Sequence, residues 1–144
     1  MIIRQYDDED YVQLTNLYRV PALYGGEFDE ERDTPERLLA TSDEMDLHIV
    51  TDDVGLIIGS IMLLSNAHSF WILRFVIDDH HPEHEFASRM LVERAEEIAN
   101  ARNHTSMIVY SSPKYEELGT RYRKLGFRES NDYKCFWKEV TYEV

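Results

Sequence analysis

A nearly all-apolar run lies between Phe70 and Ile77 and carries a single charged residue, Arg74. Such a run predicts a strand that is buried on both faces at the centre of a sheet. Downstream, apolar residues recur at helical spacing opposite a charged face, which predicts one long amphipathic helix. Its apolar positions are Ala87, Met90, Leu91, Ala95, Ile98 and Ala99. Pro82 suits a first helical turn, so we expect this helix to begin near His81.

Two apolar, β-branched runs precede the central strand. Residues 47–51 and 56–64 are separated by the turn residues Asp52-Asp53-Val54-Gly55, which predicts a hairpin. With 70–77, they form an antiparallel meander of three strands. Gly59 interrupts the second run, and a glycine inside a strand marks a bulge or a close approach of another backbone.

The remaining patterns predict elements on both sides of this meander. We expect a strand at residues 1–6, a helix through Tyr18, a short helix at 34–40, a strand at 106–110, a helix from Pro113 to Gly126 and a last strand at Cys135–Val140. Between the first two helices lies a loop, residues 21–33, with two glycines and five acidic residues. Tyr24, Glu27 and Phe28 of this loop are a candidate amine-binding set, and the alternative is a plain solvated connection.

The chain has 144 residues, of which 43% are hydrophobic, and no Pro/Gly/Ser-rich linker, which predicts a single domain over 1–144. Lysine and arginine number 15 against 28 acidic residues, for a net charge of −13. This charge repels nucleic acid and anionic membranes and favours cationic partners, unless it serves solubility alone. One cysteine, Cys135, and no apolar run of transmembrane or signal-peptide type predict a reducing, cytoplasmic location.

The junction between the central strand and the long helix is where we expect the chemistry. A helix start there presents unpaired N–H groups and a positive dipole end to an anion, although Glu83 and Glu85 could serve only to stabilise the helix. Three histidines and three carboxylates also occur within residues 78–84, which raises a metal site as an alternative. Their spacing matches no zinc pattern, so no metal is expected.

The order of elements resembles that of the GNAT (Gcn5-related) N-acetyltransferase family. Residues 122–127 are similar to the Tyr-x-x-x-Gly-Phe ending of that family, and 111–122 resemble the approach to it. The phosphate loop of the family falls on residues 82–87, where only Ala87 fits and Glu85 replaces a glycine. The resemblance implies an α+β fold, with a mixed, mostly antiparallel twisted sheet of six to seven strands flanked by about four helices.

The same resemblance implies direct transfer of an acetyl group from acetyl-CoA to a primary amine. Tyr122 matches the acid that protonates the leaving thiolate, and His80 is one candidate base among the charged residues of the strand exit. The implied cofactor-binding residues are Val76, Ile77, Phe86, Ala87, Ser88, Arg89, Ser112 and Tyr115. A cationic small-molecule or peptide amine is the expected acceptor, and a homodimer is expected if the last strand pairs with a second subunit. The alternative is a GNAT-like fold that has lost catalysis and acts as an acidic binding module.

Overall fold

The computed structural model describes residues 1–141, which form one mixed sheet with helices on both faces. The strands follow chain order across the sheet, and the first four are antiparallel to their neighbours, whereas the fifth runs parallel to the fourth. They are β1 (Ile2–Gln5), β2 (Asp46–Thr51), β3 (Ile57–Ser65), β4 (Phe70–Ile77) and β5 (Ile108–Val109). The mixed α+β class and the predicted meander are confirmed, because β2, β3 and β4 are the three apolar runs of the sequence.

Four α-helices accompany the sheet in residues 1–141, and their starts follow local side-chain chemistry. They are α1 (Tyr11–Tyr18), α2 (Pro35–Glu44), α3 (His84–Ala101) and α4 (Glu116–Lys124). At α2, the Thr34 hydroxyl accepts the Arg37 N–H at 3.3 Å and Pro35 occupies the first helical position. Both features satisfy or remove N–H groups that a helix start leaves unpaired.

The sheet separates two hydrophobic clusters, one on each face. The first packs α3 and α4 against β3 and β4, with Ile61, Ile72, Phe75, Leu91 and Tyr122 among its members. The second packs α1, α2 and the segment after α1 against the opposite face, with Leu14, Tyr18, Tyr24, Leu47 and Val76 among its members. The two faces of β4 are therefore both covered, as its nearly unbroken apolar sequence predicted.

Gly59 lies where β3 closely approaches the backbone of β4, as predicted for a glycine inside a strand. A Cβ atom on this residue would lie 2.6 Å from the carbonyl oxygen of Val76. The register between β2 and β3 also shifts here, because Val50 pairs with Gly59 whereas Thr51 pairs with Ile57. The glycine thus permits both a bulge and a close contact.

Two predictions of the fold are wrong. Residues 135–140 form no strand, so the sheet of residues 1–141 has five strands rather than six to seven. Phe136 and Trp137 are 92% and 82% exposed, so the segment has strand-forming side chains but no neighbouring strand to pair with. In addition, α3 begins at His84 instead of near His81, because the His81 ring accepts the Glu83 N–H at 3.0 Å and holds residues 81–83 in a turn.

Candidate functional site

A notch opens beside β4 because β5 accompanies it for only two residues. The parallel pairs are Trp71 with Ile108 and Ile72 with Val109, whereas β4 continues to Ile77. On the other side of β4, the Asp78 N–H donates to the Ile58 carbonyl at 2.7 Å, and Gly59 lies opposite Ile77. Since backbone groups alternate along an antiparallel pair, Phe75 and Ile77 direct their N–H and C=O groups into the notch, and Val76 directs its own toward β3.

A bulge at Leu73 sets the start of this notch. Met62 pairs with Arg74 and Leu63 with Ile72, so Leu73 has no partner on β3. Ile72 and Phe75 consequently face the same cluster although they are three residues apart. The Leu73 side chain itself is 46% exposed.

A cavity of about 360 Å³ lies between the first turn of α3 and the outer face of α4. Four of its lining residues come from α3 and five from α4 or its end: His84, Glu85, Ser88 and Arg89, then Glu117, Thr120, Arg121, Lys124 and Leu125. Two backbone N–H groups at this helix start, those of Glu85 and Phe86, have no acceptor within residues 1–141. The Ala87 N–H donates to the Glu83 carbonyl at 2.9 Å, so this amide is already satisfied, as is that of Ser88 deeper in the helix.

The side chains of this helix start differ in their surroundings. Phe86 is half-exposed with the Arg89 guanidinium 5.9 Å from its ring centre, whereas Ala87 is buried in the first cluster. The Ser88 hydroxyl donates to the Glu85 carbonyl at 2.8 Å. Glu85 is exposed, so its carboxylate can remain in water while its N–H faces the cavity.

Arg121 is the least solvated cation of the cavity. Burial lowers the pKa of its guanidinium, against the opposing influence of Asp79. Its one hydrogen bond within residues 1–141 is a donation to the carbonyl of Leu23 at 3.3 Å, and no carboxylate of that range lies within 4.0 Å. A buried cation normally has an anionic partner, so spare donors of Arg121 are available to an anion in the cavity.

Tyr122, the candidate acid, is buried on the inner face of α4. Its ring centre lies 6.0 Å from that of Phe75 and 5.6 Å from that of Phe127. Burial raises the pKa of its phenol to about 12, although the neighbouring Arg121 lowers it. The ring is thus part of the core, and its contact with Phe75 places it beside the open half of β4.

The side chain of His80, the candidate base, is not fixed in place by neighbouring residues. Its side chain is 96% exposed, and its Nε2 atom lies 3.7 Å from the Asp79 carboxylate. The neighbouring His81 is the ordered histidine of this turn, because Nδ1 accepts the Glu83 N–H and Nε2 lies 3.1 Å from Asp52. These contacts place its proton on Nε2.

Asp52 is the carboxylate that His81 contacts, across from the α3 start. Burial would raise the pKa of this carboxyl, but hydrogen bonds from the Leu56 amide and His81 hold it below the usual value. The run of histidines and acids does not converge: residues 1–141 contain no group of three or more side chains that could hold a metal ion.

The three loop residues of the candidate amine set face different surroundings. Tyr24 is buried, and its hydroxyl donates to the Tyr18 carbonyl at 2.8 Å. Phe28 packs under the Arg19 guanidinium at 4.2 Å, and Glu27 is exposed. The side chains of Glu27 and Phe28 therefore lie near the surface, whereas the Tyr24 hydroxyl is used in a hydrogen bond inside the protein.

Ser112 and Tyr115, the other candidate cofactor residues, lie at the start of α4. Neither lines the cavity. The Tyr115 N–H donates to the Ser112 carbonyl at 3.1 Å, and the Tyr115 ring packs against the first cluster. A Cβ on Gly25 would lie 3.3 Å from that of Ser112, so this turn contacts the segment after α1.

A buried ion pair on the opposite face of β4 did not follow from the sequence. The Arg74 guanidinium lies 2.8 Å from the Asp33 carboxylate, which also contacts Arg32 at 2.9 Å. Tyr18 lies under Arg74, with burial raising the pKa of its phenol to about 12 against the effect of Arg74. Within residues 1–141, Arg74 Nη1 and the Tyr18 and Ser60 hydroxyls are buried without partners. A lone charge in an apolar strand was the available signal, since such a charge requires a counterion.

Comparison with known proteins connects this geometry to acetyltransferases. No model of a known protein family matches the sequence, and no curated protein sequence matches it. Solved structures do match along almost the whole chain. An apo aminoglycoside 6′-N-acetyltransferase from Acinetobacter haemolyticus shares 15% identity at a TM-score of 0.75, covering 98% of this chain and 100% of its own.

Two further structures contain coenzyme A. PaiA N-acetyltransferase from Thermoplasma acidophilum shares 19% identity at a TM-score of 0.74, with 92% of each chain covered. A second aminoglycoside N-acetyltransferase shares 15% identity at a TM-score of 0.69, covering 96% of this chain and 95% of its own. The chain has the fold of these acetyltransferases, which supports the resemblance to the GNAT family, although the strand count that it implied is not matched. Within residues 1–141, no helix has the length and apolar character needed to cross a membrane.

Proposed function

We propose that the protein is an N-acetyltransferase that transfers an acetyl group from acetyl-CoA to a primary amine. The observation that carries this proposal is the pairing of the α3–α4 cavity with the β4 notch. Arg121, Arg89 and Lys124 bring positive charge to a helix start with two free N–H groups, which suits a pyrophosphate. The notch beside Phe75 and Ile77 offers backbone donors and acceptors to an extended amide chain such as pantetheine.

The free amides at the start of α3 differ from the ones that we expected to hold the phosphates. We expected the amides of Phe86, Ala87 and Ser88, but the free ones belong to Glu85 and Phe86. Similarly, Ile77 has backbone groups in the notch, whereas those of Val76 face β3. We therefore assign the pyrophosphate to the Glu85 and Phe86 amides with Arg89 and Arg121, and the pantetheine arm to Phe75 and Ile77.

In the proposed reaction, the lone pair of the amine forms the N–C bond, the C–S bond of the thioester breaks, and one proton passes from the nitrogen to the sulfur. Tyr122 is the residue on α4 that would donate a hydrogen bond to the departing sulfur. Its phenol, with a pKa of about 12, is a weaker acid than a thiol, so complete proton transfer would be uphill by roughly 5 kcal/mol. Its contribution is therefore a hydrogen bond to developing charge, with the proton supplied in net by the amine.

The acceptor we propose is a small cationic amine. Support comes from the net charge of −13 and from exposed carboxylates in the loop after α1, namely Glu27, Asp29, Glu30 and Glu31. The similarity to aminoglycoside acetyltransferases agrees with this class, since aminoglycosides are cationic amines. A homodimer stays a prediction, which sedimentation over a range of protein concentrations would test.

An acidic binding module without catalysis is the second candidate. The observation that favours it concerns the candidate base His80: its side chain is exposed, and its ring contacts only the Asp79 carboxylate among residues 1–141. Calorimetry with acetyl-CoA, combined with thiol release in the presence of primary amines, separates the two functions. Binding with turnover supports the enzyme. Binding without turnover, or no binding of acetyl-CoA, overturns the enzyme and is what the module predicts.

The Glu85 side chain provides a direct test of the phosphate assignment. Glu85→Gln removes a negative charge next to the proposed pyrophosphate and keeps the backbone, so we expect acetyl-CoA to bind about 3- to 10-fold more tightly. Glu93→Gln, on the far exposed side of α3, is the matched control and should leave the affinity unchanged. Equal affinity of the Glu85 variant and the wild type would place the phosphates elsewhere.

A further inference from the structure

Arg121 contacts two parts of the molecule, the α3–α4 cavity and the segment after α1. It lines the cavity between α3 and α4, and it donates to the carbonyl of Leu23 in the segment that follows α1. That segment continues into the loop with the exposed carboxylates and ends at Asp33. One side chain thus joins the proposed cofactor pocket to the proposed acceptor side.

The guanidinium has more donors than it uses. It carries five N–H donors in a planar fork, and one of them meets the Leu23 carbonyl at 3.3 Å, the long end of hydrogen-bond distance. No carboxylate within residues 1–141 lies in ion-pair distance of it. An anion in the cavity could bind the unused edge of the fork without displacing the Leu23 carbonyl, and it would fix a side chain that is now weakly held.

The Leu23 segment is also held by the Tyr24 hydroxyl, which donates to the Tyr18 carbonyl at 2.8 Å, by packing, and at its far end. Leu23 is buried, and a Cβ on Gly25 would lie 3.2 Å from a methyl group of Leu118 on α4. At the other end, Asp33 is held by Arg74 at 2.8 Å. Between these anchors, the side chains of Glu27 to Arg32 are mostly exposed. The hydrogen bond from Arg121 to the Leu23 carbonyl therefore influences how often residues 27–32 unfold locally.

We propose that Arg121 is a positioning residue through which coenzyme A in the cavity orders the segment from Pro21 to Asp33 and thereby strengthens binding of the amine. The inference rests on the proposed function. Because coupling between two sites is reciprocal, the amine should also strengthen binding of the cofactor by the same factor. Coupling between sites in proteins is typically about 5- to 150-fold, and a single shared side chain places the expectation near the lower end.

Tryptic cleavage after Arg32 reports on the opening of this segment independently of activity. The Arg32 side chain is 50% exposed and bonds to the Glu27 carbonyl and to Asp33, so cleavage requires local opening. We expect saturating coenzyme A to slow the appearance of the 1–32 fragment at least about 5-fold in the wild type. Calorimetry on the same sample first establishes that coenzyme A binds.

Lys124→Gln is the matched control for Arg121→Gln. Both substitutions remove one positive charge from the cavity, but only Arg121 donates to Leu23. With coenzyme A at about ten times the Kd of each variant, protection of Arg32 should persist in Lys124→Gln and disappear in Arg121→Gln. Arg121→Lys keeps the charge without the fork, and we expect it to retain affinity while losing most of the protection.

Steady-state kinetics give a second readout. At saturating acetyl-CoA, Arg121→Gln should raise the KM for the amine with little change in kcat, whereas Arg123→Gln, at an exposed residue of α4 outside the cavity, should leave that KM unchanged. Equal protection in Arg121→Gln and the wild type would overturn the inference, as would bound coenzyme A that gives the wild type no protection. Failure of the wild type to bind coenzyme A would overturn the proposed function itself, and with it this inference.

Discussion

At the scale of single residues, Tyr122 combines a packing role with a proposed catalytic one. Tyr122→Phe retains the ring contacts with Phe75 and Phe127, and the hydroxyl makes no hydrogen bond within residues 1–141. We therefore expect unchanged folding and acetyl-CoA affinity, with turnover slower by roughly 100-fold because a donor to the leaving sulfur is lost. Tyr110→Phe, at an exposed residue directly after β5, is the control that should leave turnover intact. Normal turnover in the Tyr122 variant would show that this residue has only a packing role.

His48 predicts a dependence of stability on pH. It is buried on β2 with both ring nitrogens unpartnered within residues 1–141, and burial lowers its pKa, as do Arg94 and Arg102, while Asp46 raises it. The unfolded chain binds a proton at this residue below about pH 6.5, whereas the folded protein binds it only at lower pH. Above about pH 6.5, His48 does not reduce the free energy of unfolding. Below that pH, the free energy of unfolding declines by up to about 1.4 kcal/mol per pH unit.

Urea unfolding between pH 8 and pH 5 measures this decline. In His48→Phe, the part of the pH slope that comes from His48 should vanish, because no group remains to be protonated on unfolding. His68→Gln, in the exposed turn between β3 and β4, should retain the wild-type slope. Matching slopes in the wild type and the His48 variant would show that other groups cause the acid destabilisation.

At the scale of secondary-structure elements, the bulge at Leu73 decides which face each end of β4 presents. Deletion of Leu73 removes the extra residue, so Ile72 and Phe75 become two residues apart and still face the first cluster, with the pairs to Leu63 and Ile61 kept. We therefore expect the deletion variant to unfold cooperatively, at a cost of about 1 kcal/mol or less in a denaturant titration. Deletion of Val76, in the regular part of the strand, would instead turn Phe75 and Ile77 to opposite faces and should cost at least about 2 to 5 kcal/mol. Equal destabilisation by the two deletions would contradict this role of the bulge.

The elements show where sequence patterns succeed. Interior strands such as β3 and β4 were predictable, because burial on both faces requires a continuous apolar run. Residues 135–140 carry equally strand-like side chains, yet a strand forms only with a neighbour, and local sequence does not report one. The same limit explains the start of α3, since the bond from the Glu83 amide to the His81 ring depends on side-chain orientation.

Some parts of the candidate site could be predicted from the sequence, and others could not. The similarity of residues 122–127 to a known motif singled out Tyr122, whose ring contacts Phe75 in the structure, and its catalytic role stays a prediction. The pair of Arg74 and Asp33 was not, because the two residues lie far apart in the chain and meet only through the packing of the loop on β4. Likewise, no local pattern indicates that Arg121 contacts the Leu23 carbonyl.

At the scale of the whole molecule, the charge of −13 raises the question of whether acidity serves the proposed reaction or only solubility. If the field attracts a cationic acceptor, kcat/KM must fall as salt shortens the range of the field. Raising the ionic strength from about 20 mM to about 500 mM shortens the Debye length from about 20 Å to about 4 Å. We expect kcat/KM for a polycationic amine to fall at least about tenfold over this range, and that for a monoamine to fall less.

Two variants with the same net charge locate the source of the attraction. Glu27, Glu30 and Glu31 changed together to glutamine neutralise the exposed loop, and the same change at Glu93, Glu96 and Glu97 neutralises the exposed face of α3. Local steering predicts that the loop variant loses most of the salt dependence and the α3 variant keeps it. If the whole-molecule field acts instead, both variants should lose the same modest share. If kcat/KM of the wild type does not change with salt, the acidic residues serve solubility alone.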